Sequence, residues 1–527
     1  MRRDLLLAAS CAIGIALAFP PLQLGFLAYW SVIPLLILLE DKKPAESFRW
    51  GYLSGFFLSV LTLYWIFWPT VPGAIATMLI HPLYYAVFAY AVTTARRAWS
   101  QGYLILVPFF WTAIEYVKSL GEVGFPWVTL GYTQSYYLEL IQFAAVTSVY
   151  GVSFWVLCLN VVFLLMWKHR SERRWLLGCA MILSVLFIAP YLYGLAVIPS
   201  PVKADEPVGR EVFHQNIENE LRVAVVQGNV DPYMKWDKEF VEENFEIYER
   251  LTRRCAAQKP ELIVWPETAT PTWLLHDLEK LTRVRNFVQE IDVPLLTGTP
   301  DYKFISEKKY KTYNAAILLS PGREEIPKYA KMHLVPFGER VPWEDEFPWL
   351  QKLLARFEMG EGNFSPGEAI ELFSVHRKND APTNGTGALR LVTLICFESF
   401  FPEQAREYIR RGADVLVVIT NDGWFGPTMP YGHARMSIFR AIENRISVVR
   451  SANTGISMTI DPYGRVGSES ALNEEAVLFD SVPLRRKGSV FEKYGPVFSQ
   501  SVLGVSALSV LFALLEHYRS RFTSKIG

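Results

Sequence analysis

Residues 389–402 read LRLVTLICFESFFP. The first seven form an apolar run broken only by Arg390 and Thr393. With Val and Ile among them, they read as a strand buried on both faces. Pro402 suits the first turn of a following helix. Cys396 therefore stands at a strand-to-helix turn. A thiol there is expected to be exposed and to feel the helix N-terminus, which would lower its pKa and make it a nucleophile. A cysteine after an apolar run is also an ordinary core residue, so this stretch gives the local structure and leaves the chemistry open.

Working outward, runs of the same kind recur through residues 220–488. They are LRVAVVQGNV (221–230), ELIVWPE (261–267), VPLLTGTP (293–300), YNAAILLS (313–320), ADVLVVITND (413–422), SVVRSANT (447–454) and GISMTIDPYG (455–464). Charged or amphipathic stretches separate several of them: Lys238 to Lys259, residues 276–290, and Tyr431 to Arg445. Strands alternating with helices predict a layered α/β domain over 220–488. The segment 377–388, RKNDAPTNGTGA, is a loop of turn formers.

The rest of the chain is different. Of 527 residues, 51% are hydrophobic and the net charge is zero. Zero net charge gives no electrostatic reason to expect a nucleic-acid partner. Apolar runs that could cross a bilayer fall at 5–20, 23–40, 51–69, 72–94, 102–117, 141–166 and 175–198, with an eighth at 499–516. They predict a membrane domain over 1–199 with seven helices, and an eighth helix after the soluble domain. Basic residues fill alternate short loops: Arg2 and Arg3; Lys42, Lys43 and Arg49; Arg96 and Arg97; Lys168, Arg170, Arg173 and Arg174; Arg519, Arg521 and Lys525. By the positive-inside rule both termini are cytoplasmic and 220–488 lies outside, in the periplasm of an inner-membrane protein. The five cysteines show no CxxC and no zinc spacing, so neither a disulfide framework nor a metal site is expected. His81 and Glu115 lie in apolar runs and are read as structural or interfacial.

Two further residues accompany Cys396. Glu267 closes ELIVWPE, at the strand end where open α/β sheets bind ligands, and apolar Trp265 beside it should raise its pKa toward that of a general base. Lys331, in YAKMHLVPFGER, could donate hydrogen bonds to an oxyanion. A Cys–His pair with His333 is set aside, because the lysine already fits a known arrangement. Each residue alone is an ordinary strand-end or surface group.

Together, WPE (265–267), KMHLVPFGE (331–339), CFE (396–398) and NDGWF (421–425) resemble the nitrilase, or carbon–nitrogen hydrolase, superfamily over roughly residues 220–485. The resemblance implies an αββα sandwich in which Glu267 is the base, Lys331 steadies the tetrahedral intermediate and Cys396 forms a thioester. GFPW (124–127), GYTQ (131–134), VQGN (226–229), KWD (235–237) and HARMSIFRAIENR (433–445) are similar to the membrane-bound apolipoprotein N-acyltransferase family within it. That likeness implies eight spans and supporting roles for Trp236, Glu339 and Glu398. Phe397 stands where that family has Tyr. Glu398 would orient Lys331 or the amine. The substrates implied are a phospholipid acyl donor and a diacylated apolipoprotein acceptor, met at the lipid bilayer by a monomer without metal or cofactor. The alternative is a membrane-tethered amidase or nitrilase. A lid is expected in 337–366, carrying Trp343, Phe347, Trp349, Leu350, Leu353, Leu354 and Phe357, with Trp424 and Phe425 similar.

Overall fold

The structure is a computed structural model. It describes the chain apart from residues 101, 200–219, 236–238, 308, 348, 350–363, 377–387, 486 and 527. Trp236, Leu350, Leu353, Leu354 and Phe357, and nearly all of the 377–388 loop, lie outside the described residues. Two compact units emerge, Met1–Ile198 with Tyr494–Gly527, and Pro199–Lys493.

The first unit is helical. Five helices are long and apolar enough to cross a membrane: Pro44–Phe67, Val71–Ala98, Ala144–Lys168, Arg173–Val197 and Val497–Arg519. Three of the eight expected spans are shorter. Arg2–Ala18 has 17 residues, and Gly25–Leu39 and Tyr103–Val117 are short apolar helices. A straight span needs roughly 20 residues, so helix length carries several membrane helices but not the count of eight. Chain breakers set these lengths: Pro20 and Pro21 follow the first helix, and Gly102, in the left-handed region, precedes Tyr103.

The basic loops meet at one end of this unit. Lys42 reaches Asp4 at 2.9 Å, Arg96 donates to the Lys42 carbonyl at 2.8 Å, and Lys168 pairs with Glu40. Three buried polar residues of the apolar half, His81, Glu115 and Lys118, have local hydrogen-bond partners. His81 Nδ1 lies 2.8 Å from Ser59 Oγ, where Pro82 breaks the helical ladder. Glu115 accepts from Trp111 Nε1 at 2.8 Å and from the Leu130 N–H at 2.7 Å, while Lys118 donates to the Val128 carbonyl. The carboxylate and the ammonium thus hold the ends of the segment joining GFPW to GYTQ.

The second unit is a sandwich of two six-stranded sheets, ordered β12-β1-β2-β3-β4-β5 and β11-β10-β9-β8-β7-β6. In the first, β1 (Glu220–Gln227), β2 (Leu262–Val264) and β3 (Leu295–Ser306) run parallel, and β4 (Lys309–Leu319), β5 (Lys328–Ala330) and β12 (Ala476–Pro483) are antiparallel additions. The second repeats the plan with parallel β7 (Ala388–Ile395), β8 (Val415–Thr420) and β9 (Ser447–Ala452), flanked by β6 (Phe373–His376), β10 (Met458–Ile460) and β11 (Val466–Glu469). Helices Val241–Ala256 and Leu278–Ile291 cover the outer face of the first sheet, around Trp265, Phe245 and Phe287. Coverage on both faces is why the parallel strands are continuous apolar runs rather than alternating ones; every residue of β8 is buried. The sheets meet through Ser451, whose hydroxyl lies 3.3 Å from the carbonyls of Val226 and Val264. The short or edge strands β5, β6, β11 and β12 have no such runs and are absent from the sequence reading. All parallel strands point one way within their sheet, so Glu267 and Cys396 both sit just past C-terminal strand ends.

Candidate active site

Glu267 follows β2 in a turn held from two sides. Thr268 adopts a left-handed backbone, φ 48°. On one side Gly298 of β3 packs so closely that a Cβ there would lie 2.5 Å from Thr268 N and 2.7 Å from Glu267 Cα. On the other, Lys235 donates to the Thr268 carbonyl at 3.2 Å and to its Oγ1 at 2.5 Å. Gly298→Ala is therefore expected to displace the Glu267 carboxylate and lower turnover about 100-fold. Steady-state kinetics and a circular dichroism melt of the variant separate that loss from unfolding.

Both carboxylate oxygens of Glu267 accept hydrogen bonds, Oε1 from Asn314 Nδ2 at 2.7 Å and Oε2 from the Asn421 N–H at 2.9 Å. Lys331 Nζ stands 3.9 Å from Oε1. Burial raises the Glu267 pKa, with Lys331 opposing and Glu339 adding to it. This agrees with the direction read from the sequence. The two donated hydrogen bonds keep the carboxylate oriented to receive a proton.

Lys331 directly follows β5, pinned by its own backbone. Its N–H donates to the Asn314 carbonyl, and its carbonyl accepts from the Gly367 N–H, both at 2.8 Å. Its ammonium is 1% exposed and donates to Glu339 Oε1 at 2.8 Å. Burial would lower its pKa, but the Glu339 and Glu267 carboxylates outweigh burial and raise it, so the cation persists. Glu339 also accepts from the Val335 N–H at 2.8 Å.

Cys396 ends β7 with φ 51° and opens a 3₁₀ turn through Phe400, ahead of the helix Pro402–Arg410. Its placement corrects the sequence reading of an exposed, acidified thiol. The residue is 6% exposed. Burial, then the Glu267 carboxylate, push the thiol pKa up, with Lys331 only partly offsetting them. The thiol therefore rests in its neutral form, and any nucleophilic role would need a base to take its proton. Phe397, 3% exposed, stacks edge-on with Phe400 and Phe401 at 5.1 Å.

Glu398 does not bond the Lys331 ammonium in this structure; it grips the backbone around it. Fully buried, it accepts from the N–H groups of Met332, His333 and Ile395 and from Tyr329 Oη, at 2.6–3.1 Å. It ties the residues after Lys331 to the residue before Cys396. Glu398→Gln turns one of these acceptors into a donor facing donors. A loss of about 1–3 kcal/mol is expected, read as a lower denaturation midpoint.

Of the other expected residues, Trp343, Phe347 and Trp349 are 41%, 49% and 63% exposed. Trp424 meets Tyr233 edge-on at 4.9 Å. Sequence reasoning missed Asn314, the Asn421 N–H and Lys235, which burial brings down to about 8 while Glu267 partly restores it. It quoted His433, Asp422 and Arg450 only within motifs or strand runs and gave none of them a role. The signals available were a buried-type Asn in YNAAILLS and an Arg inside the apolar strand SVVRSANT.

Two family models match the chain. Residues 222–490 match the carbon-nitrogen hydrolase model, and residues 11–162 match the apolipoprotein N-acyltransferase N-terminal domain. An apolipoprotein N-acyltransferase of Geobacter metallireducens is 36% identical over 97% of this chain and 95% of its own length. That of Chlorobaculum tepidum is 32% identical over 94% and 93%. Among solved structures, an amidase from Nesterenkonia sp. is 18% identical, covering 54% of this chain and 93% of its own, with a TM-score of 0.36. The 36% and 32% identities to those two relatives along nearly the whole length, with both domain models matched, make this chain a member of the apolipoprotein N-acyltransferase family.

Proposed function

We propose that the protein transfers a fatty acyl chain from a phospholipid, through a thioester on Cys396, to the α-amine of the S-diacylglyceryl cysteine of an apolipoprotein. The observation that carries this reading is the convergence of Glu267, Lys331 and the neutral Cys396 thiol at neighbouring strand ends, in a chain that also holds several membrane helices.

The chemistry follows from these groups. Glu267 takes the Cys396 proton as sulfur attacks the ester carbonyl of the donor. The Lys331 ammonium balances the oxyanion. Collapse breaks the acyl C–O bond, and Glu267 returns the proton to the departing lysophospholipid alkoxide. The acceptor amine then attacks the thioester and gives its proton to Glu267. The second collapse breaks the C–S bond, and the thiolate regains a proton from Glu267. Kinetics are ping-pong, and water must be kept from the thioester. Glu339 fixes Lys331, and Glu398 holds the backbone around it. Phe397 packs against the acyl chain, Trp236 keeps the supporting role that the family resemblance implies, and the exposed aromatics Trp343, Phe347 and Trp349 belong to a lid.

The membrane domain is read as eight spans, with Arg2–Ala18, Gly25–Leu39 and Tyr103–Val117 as short ones. Both termini are cytoplasmic and the catalytic domain is periplasmic. Support comes from the basic loops, whose ion pairs gather the N-terminal segment and three alternate loops at one end. The protein acts as a monomer.

Incubation with phospholipid and a diacylated lipopeptide tests the reading by mass spectrometry. A third acyl chain on the peptide N-terminus is the expected product. Hydrolysis of amides or nitriles with no acyl transfer would instead identify a membrane-tethered amidase.

A further inference from the structure

Behind the nucleophile lies a fully buried row of side chains. Arg450 Nη2 donates to Asp422 Oδ2 at 2.7 Å, and Asp422 Oδ1 lies 2.8 Å from His433 Nδ1. The exposure of all three is zero. Thr420 Oγ1 also donates to Asp422 Oδ1, at 2.8 Å. On the far side of the ring, His433 Nε2 lies 2.8 Å from Ser399 Oγ and 3.3 Å from the Cys396 carbonyl. Ser399 Oγ is itself 2.8 Å from that carbonyl. None of these residues has a part in the proton transfers above.

The donor and acceptor pattern is constrained. Burial opposes the Asp422 charge, but His433, Arg450 and the donated hydrogen bonds bring its pKa down to about 2. Burial and Arg450 lower the pKa of His433, against the pull of Asp422. The two directions conflict if the ring is taken as the cation that holds Asp422. We take the ring as neutral, because Arg450 already balances the carboxylate and a further cation would be uncompensated. Asp422 is an acceptor, so the ring proton sits on Nδ1 and Nε2 accepts. The single Ser399 hydroxyl proton is then shared, as a three-centre bond, between two acceptors at equal distance, His433 Nε2 and the Cys396 carbonyl. It joins the ring to the peptide that carries the nucleophile.

That peptide needs holding. Cys396 is a non-glycine residue in the left-handed region, a conformation that L side chains disfavour and that persists only where surroundings enforce it. Cys396, Asp422 and His433 also bring one sulfur, oxygen and nitrogen atom within 4.8 Å of one another, a spacing that could hold a metal ion. The hydrogen bonds argue otherwise. Both Asp422 oxygens and His433 Nδ1 are already committed, and a cation there would cap the thiol and displace Arg450.

We propose that His433, oriented by Asp422 and Arg450, is a positioning residue for the nucleophile: through Ser399 it fixes the left-handed Cys396 peptide and so aims the thiol toward the acyl carbonyl. His433 touches neither substrate nor reacting atom. The acyl-transfer readout rests on the function proposed above; thiol reactivity does not.

The test uses the full-length enzyme in detergent. Iodoacetamide alkylation of Cys396 is followed by peptide mass spectrometry, beside acyl transfer to the lipopeptide. Asn at 433 reaches the Nδ1 position, and Gln reaches the Nε2 position. His433→Asn keeps the Asp422 contact and loses Ser399, so alkylation and kcat should fall roughly 10- to 100-fold with KM unchanged. His433→Gln keeps a group opposite Ser399 and should recover most of both. Ser399→Ala removes one hydroxyl, which keeps the test decisive if His433→Asn does not fold. It should slow alkylation too, and the double variant should be no slower than the slower single one. Alkylation at the wild-type rate in Ser399→Ala, equal losses for Asn and Gln, or losses that multiply in the double variant would each overturn the proposal. If alkylation responds as expected but no variant or wild type transfers acyl groups, the positioning role stands and the proposed reaction falls.

Discussion

Cys396→Ala should abolish acyl transfer. No mass shift of the enzyme should follow incubation with phospholipid, and no third acyl chain should reach the lipopeptide. The expected loss in kcat is on the order of 10⁵- to 10⁶-fold, as for removal of a covalent nucleophile from a preorganised site. The fold should survive. The resting thiol is neutral because burial and Glu267 push its pKa up, so its removal leaves no buried charge without a partner. The small void left costs about 1 kcal/mol. A variant that still delivers the third chain at more than a trace would remove the thioester from the mechanism.

Glu267→Gln should be less damaging but still severe, by a different route. A neutral thiol cannot attack until a base takes its proton, and general-base loss costs roughly 10²- to 10⁴-fold. The amide can still accept the Asn314 or the Asn421 hydrogen bond with its one oxygen, so the site should stay assembled. The pH profile gives the sign. The Glu267 pKa is raised by burial and Glu339, and the base is needed ionised. Wild-type kcat/KM should therefore fall as pH drops through that raised value, above the ordinary carboxylate range. In Glu267→Gln this acid limb should vanish, leaving a rate that climbs with pH as hydroxide deprotonates the thiol. Persistence of the same acid limb in the variant would assign the base elsewhere.

Both results bear on how the site was legible. Glu267 and Cys396 could be found because parallel strands covered on both faces must be continuous apolar runs, and a polar residue at the end of such a run is conspicuous. Lys331 was harder. Its strand, Lys328–Ala330, has three residues and no apolar signature, and only the flanking motif marked it. Asn314 and the Asn421 N–H were invisible as a pair, since they meet Glu267 from positions 47 and 154 residues away. Glu398 was expected to orient Lys331 or the amine; its backbone hydrogen bonds go to the N–H groups of Met332, His333 and Ile395, which no spacing rule could reveal.

In the membrane half, hydropathy located every apolar helix, but helix length came out differently. Proline and glycine breaks shortened Gly25–Leu39 and Tyr103–Val117 relative to the runs that contain them. His81 and Glu115 were read as structural from the lack of a charged relay. They bond Ser59, Trp111 and the Leu130 backbone, while His81 Nε2 and Glu115 Oε2 are buried without a hydrogen-bond partner among the described residues.

By itself, then, the sequence determined the two-part division between apolar helices and an α/β domain, the positions of the parallel strands along the chain, and Glu267 and Cys396 just past the ends of two of them. These depend on local periodicity and on motif order, which are written along the chain. Only the tertiary structure decided the protonation of the site. Cys396 looked like an exposed, acidified thiol at a helix start, yet the fold buries it beside Glu267 and raises its pKa instead. The physical reason is that a pKa answers to desolvation and to charges within a few ångströms. Those neighbours, Glu267, Lys331 and Asp422, come from three separate segments that only folding brings together.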